Sequence, residues 1–123
     1  MSEVKTFEVE QKFNGTEDLY KWIQKNTDVI EKLTFLQIQT PIRNRILCLT
    51  TKEKITERQI LFYASKCEFH EAIGEMIITA GTFDVDVIVF FTPKLTEAHL
   101  EPLNWLHKIC AADYQFIVIQ AEF

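Results

Sequence analysis

Few side chains in this chain combine type and spacing in a way that could do chemistry. Three cysteines (Cys48, Cys67, Cys110) and three histidines (His70, His99, His107) are present, but no C-x-x-C occurs and no zinc-ligand spacing links the two sets. The thiols read as reduced cysteines of a cytosolic protein. His99 and His107 stand eight apart, close to one face of a helix, with no third ligand beside them. Ser65-Lys66 has the composition of a serine–lysine nucleophile, yet neighbours on a strand point to opposite faces. No phosphate-cradling glycine loop, dinucleotide fingerprint or nucleophile elbow is present.

Charge and hydropathy patterning supply the elements that must position these groups. Residues 4–13 alternate Phe7, Val9 and Phe13 with Glu8, Glu10 and Lys12, which predicts a strand with one wet face. Asn14-Gly15 breaks it, and Thr16 stands as N-cap of a helix over 17–32, slackening near Asn26-Thr27. Its stripe is Leu19, Trp22, Ile23, Val29, Ile30 and Leu33. Three strands are predicted next: Thr34 to Thr40, Asn44 to Thr51, and Arg58 to Ser65. Their short links favour antiparallel neighbours.

A helix from Phe69 to Ala80 follows, with Phe69, Ile73, Met76, Ile77 and Ala80 facing inward and Gly81 at the C-cap. Gly74 in mid-helix implies a close approach of helix to sheet, since glycine there costs about 1 kcal/mol against alanine. Val85 to Thr92 reads as a central strand, joined to the preceding strand by a right-handed parallel crossover. The next helix has Thr96 as N-cap, a Leu95–Leu100 staple and Leu103, Leu106 and Ile109 inward; Pro102 kinks or restarts it. Gln115 to Glu122 is the last strand. Trp22 and Trp105 are assigned to the core. The chain holds ten Phe residues, Phe90, Phe91 and Phe123 included, a number that leaves some expected at the surface, where clustering would make an association patch.

At 123 residues the chain fits one domain, 1–123, an α/β fold with one mixed sheet flanked by helices. Composition is ordinary for a globular protein, at 47% hydrophobic and 25% charged. The polar start and the lack of a long apolar run predict neither signal peptide nor membrane span, hence a cytoplasmic location. A net charge of −5 disfavours unaided nucleic-acid binding, which draws its affinity from phosphate neutralisation.

Three runs carry a resemblance. Thr16-Glu17-Asp18-Leu19-Tyr20-Lys21-Trp22-Ile23 resembles the opening helix of small bacterial nuclease-like domains associated with restriction systems. Phe69-His70-Glu71-Ala72-Ile73-Gly74-Glu75-Met76-Ile77 resembles their E-A-[IL]-G-Q run. Glu97-Ala98-His99-Leu100-Glu101-Pro102-Leu103-Asn104-Trp105-Leu106 resembles their E-x-H…L-x-W-L helix. Over residues 16–123 the chain is similar to the PD-(D/E)XK superfamily. That resemblance implies a restriction-endonuclease-like core of helix–three strands–helix–strand, plus an N-terminal strand and a C-terminal helix–strand.

Such nucleases use an Asp at the end of the second core strand and an E-x-K on the third; the two carboxylates hold Mg²⁺ and the Lys assists the nucleophile. By the resemblance Lys66 matches the motif lysine, Ala64 stands at the acid's position and Arg45 at the Asp position. The expectation is a degenerate site without a metal or other cofactor, in which Glu17 pairs with Arg45 in an ionic cluster, or Arg45 and Lys66 hold an anion. The chain is then an inactive interaction or regulatory module in DNA metabolism or defence, with a protein partner or a second copy of itself. Two alternatives stand beside it. One is an Mg²⁺-dependent endonuclease with acids relocated to Glu17, Glu68, Glu71 or Glu75; the other is a nucleic-acid-binding subunit that does not cut.

Overall fold

The alternating N-terminal run forms strand β1 (Lys5–Lys12), and the chain then turns at Gly15, whose φ of 97° only glycine adopts readily. A computed structural model describes residues 4–44, 48–65, 68–110 and 114–123. Helix α1 (Thr16–Lys25) starts directly after the turn, so Gly15 and not Thr16 is the N-cap. Asp18 steadies the turn instead, its carboxylate accepting the Asn14 N–H at 2.9 Å.

The helix expected over 17–32 is two helices. Asn26 leaves the helical region, donates from its side chain to the Trp22 carbonyl, and starts α2 (Thr27–Thr34). No strand occupies 34–40. Thr34 stays helical with its hydroxyl on the Ile30 carbonyl at 2.7 Å, and Phe35 caps α2 in the left-handed region. Only an isolated bridge, Ile38 to Glu53, remains of that predicted strand. The meander is shifted: β2 (Ile42–Asn44), β3 (Cys48–Lys52) and β4 (Gln59–Ala64) pair antiparallel in turn. Pro41, which cannot donate to a ladder, marks where β2 begins.

Helix α3 (Phe69–Phe83) runs past Gly81 and ends at Asp84, whose φ of 50° closes it. Thr82 holds that last turn by donating to the Ile78 carbonyl. Strand β5 (Val87–Thr92), helix α4 (Glu97–Cys110) with Pro102 inside it, and strand β6 (Gln115–Glu122) complete the order. The Asp86 carboxylate accepts the Gln59 N–H, and its backbone bonds Gln59 and Gln115. One residue thus clasps the starts of β4, β5 and β6.

The result is a mixed six-stranded sheet in the order β1-β6-β5-β4-β3-β2, with β1, β6, β5 and β4 parallel. Residue 5 pairs with residue 117, so the first strand lies against the last. Alternation along the strands splits the core in two. Ile60, Phe62, Ala64, Val89 and Phe91 pack with Leu19, Tyr20, Ile23 and Ile30 of α1 and α2. Leu61, Tyr63, Phe90 and Val118 pack with Ala72, Met76 and Leu103 of α3 and α4.

Phe90 and Phe91 are core residues of the central strand and Phe123 packs against the core, while Phe35 is exposed. Other expected burials are corrected. Trp22 packs edge-on against Phe13, but Trp105 is exposed, as are Ile77 and Ile109. Gly74 does not approach the sheet: a Cβ there would meet nothing within 4 Å. No helix among the described residues is long and apolar enough to cross a membrane.

Candidate functional site

The position that the resemblance assigns to the metal-binding acid is the last residue of β4, and α1 closes over it. Leu19, Tyr20 and Ile23 form the buried face of α1, which brings the Tyr20 ring down onto the strand end. Its hydroxyl donates to the Ala64 carbonyl at 3.1 Å and accepts the Ala64 N–H at 2.8 Å. Both backbone groups of Ala64 are thus satisfied by one side chain, and its methyl group is buried. Burial pushes the Tyr20 hydroxyl far above its ordinary value, which keeps it a neutral hydrogen-bonding strut.

Arg43 of β2 caps this arrangement from the outside. Its guanidinium lies 4.7 Å from the Tyr20 ring centroid, donates to the Cys48 carbonyl at 3.2 Å, and pairs with Glu17 of α1. A planar cation suits this triple duty because it stacks and bonds in one orientation. Glu17 therefore does engage an arginine, and the partner is Arg43, two residues before the expected Arg45. Arg45 and Lys66 lie outside the described residues, as does Cys67; nor is the Cys110 side chain described, while Cys48 is buried and free.

Glu75 belongs to the other layer. On α3 it accepts the Tyr63 hydroxyl at 2.7 Å, and Tyr63 in turn stacks on Phe90. Burial first, and then Glu75 itself, push that hydroxyl up as well. Ala64 and Tyr63 point to opposite faces of the sheet, so Glu17 and Glu75 sit in opposite helical layers. Glu68 and Glu71 are exposed around the start of α3. His99 stacks on Phe69, ring centroids 4.4 Å apart, and its Nδ1 accepts the Thr96 N–H at 3.4 Å. Among the described residues, no three His, Cys, Asp or Glu side chains converge as a metal-ligand group.

Tyr20 and Arg43 are the two site residues that sequence reasoning passed over. Tyr20 is three residues from Ile23 on the same helical stripe, and Arg43 alternates with Pro41 at the start of an edge strand. Both signals were present in the spacing. Comparison with protein-family models, with curated proteins and with solved structures gives no match.

Proposed function

We propose that this chain is a non-catalytic domain on a restriction-endonuclease-like core, acting by association rather than by phosphodiester cleavage. The order helix, three antiparallel strands, helix, parallel strand supports that core. One observation carries the loss of chemistry: at the acid's position stands Ala64, buried, with its N–H and carbonyl both held by Tyr20. A metal pair of carboxylates must converge on one ion. Here Glu17 is engaged by Arg43 and Glu75 by Tyr63, in different layers. Relocation of the acids to these two positions would require both contacts to break and the sheet to be crossed.

Incubation of the pure protein with supercoiled plasmid and Mg²⁺ or Mn²⁺ tests the proposal, and the expected outcome is no nicking. Divalent-dependent cleavage abolished by Lys66→Ala would overturn it. With a net charge of −5, the favoured partner is a protein rather than nucleic acid. Oligonucleotide titration at low salt, where backbone contacts are strongest, should show no binding.

A further inference from the structure

Helix α3 meets the sheet with one side, where Ala72, Met76 and Thr79 are buried, and leaves Ile77 50% and Ile78 71% exposed on the other. His70, Glu71 and Glu75 are exposed as well, so the apolar part of the outward side is the strip that Ile77 and Ile78 flank. Gly74 and Gly81, two turns apart and so on one line of the helix, run between those isoleucines. Each glycine weakens the helix relative to alanine, and a Cβ at either would meet nothing within 4 Å. Among the described residues, nothing uses the closeness that they permit.

Helix α4 widens the face with Trp105 and Ile109, 62% and 57% exposed, and Tyr114 before β6 adds 48%. Ile77, Trp105 and Leu106 line both of two adjoining apolar grooves, one reaching Tyr114 and the other Phe69. These shared residues join the two grooves into one surface, and Ile78 stands next to Ile77 at its α3 border.

We propose that a second copy of the chain covers this face, the two α3 helices packing antiparallel across a twofold axis between Ile77 and Ile78. The midpoint of positions 74 and 81 falls between 77 and 78. That axis therefore sets Gly74 of each copy against Gly81 of the other, and the isoleucines of each copy over the other's. An isologous interface needs such self-complementarity. Together Ile77, Ile78, Trp105, Ile109 and Tyr114 uncover roughly 600 Å² per copy, against about 800 Å² per partner in a standard interface. The sheet edges are poorer templates for pairing: β1 bears Lys5, Glu8, Glu10 and Lys12, and β2 spans three residues, Ile42–Asn44.

This inference rests on reading the chain as an association domain, and the two fail separately. Plasmid cleavage would remove that reading and leave the face standing. The face itself is tested by sedimentation velocity of the full chain over a wide concentration range. The wild type should be dimeric. Ile78→Glu and Ile78→Lys, each placing like charges across the axis, should weaken self-association about 100-fold or more, since two anchors are lost per dimer. Their equimolar mixture should recover the dimer, because opposite charges then meet. Position 78 is outside the core, and circular dichroism checks that both variants stay folded. A monomeric wild type, variants that remain dimeric, or a mixture that fails to associate would each overturn the proposal.

Discussion

The two helical layers treat their outer surfaces differently. On α1 and α2 the buried residues are Leu19, Tyr20, Ile23, Ile30 and Thr34, and the outward positions are mainly charged. On α3 and α4 the inward residues are as well packed, but Ile77, Ile78, Trp105 and Ile109 face outward. The first layer also carries polar locks, the Tyr20 hydroxyl on Ala64 and the Arg43–Glu17 pair. In the second, Tyr63 reaches an exposed carboxylate, Glu75, and Asn104 of α4 accepts the Val4 N–H. The first layer exposes Phe35 at the end of α2, whereas the second exposes four large apolar side chains on adjoining helices.

Substitutions can break or sharpen that contrast. The largest effect is expected from Tyr20→Phe, which leaves a buried N–H and carbonyl unpaired and should cost about 3 kcal/mol in denaturant unfolding. A loss under about 1 kcal/mol would mean that the α1 side is not locked by this hydroxyl. Gly74→Ala should go the other way, stabilising the monomeric fold by about 1 kcal/mol, since the added methyl meets open space in a helix. Thermal unfolding at low protein concentration reads this directly, and destabilisation would show that the position is crowded after all. Tyr63→Phe should cost about 1 kcal/mol or less, because the carboxylate that it releases returns to water.

The smallest effect is a pH dependence. The Arg58 side chain beside Glu53 holds that carboxyl below its ordinary value. Its stabilisation is then complete at neutral pH, starts to fade as the pH falls through the unfolded chain's carboxylate range, and is gone below the folded value. Glu53→Gln should flatten that part of an acid unfolding curve and leave the neutral-to-alkaline part unchanged in shape.

Regular elements were legible where periodicity and punctuation agreed. The last strand spans Gln115–Glu122 as read, and the run before Lys66 is strand β4, buried from Ile60 to Ala64. Failures have local causes. Residues 34–40 look extended by composition, but Phe35 takes a left-handed φ that no pattern announces, and the hydroxyl of Thr34 bonds backward into the helix. Ile77, Trp105 and Ile109 were read as inward because periodicity registers apolarity and not which covering satisfies it. At the site, Arg43 pairs with Glu17, a contact the sequence did not single out, because it depends on where β2 starts relative to α1; the expected Glu17–Arg45 pair lies outside the described residues. The tyrosine strut went unread because Tyr20 was left out of the stripe of Leu19, Trp22 and Ile23 to which its spacing assigns it.

The pairing of residue 5 with residue 117 has a consequence in time. Contacts so distant along a chain form slowly, because the loop must close before any strand–strand gain follows. As the ribosome extends the polypeptide, β1 waits for β6, with Phe7 and Val9 without their β6 partners meanwhile. The charged residues that alternate with them are what keep the waiting segment from sticking to its neighbours.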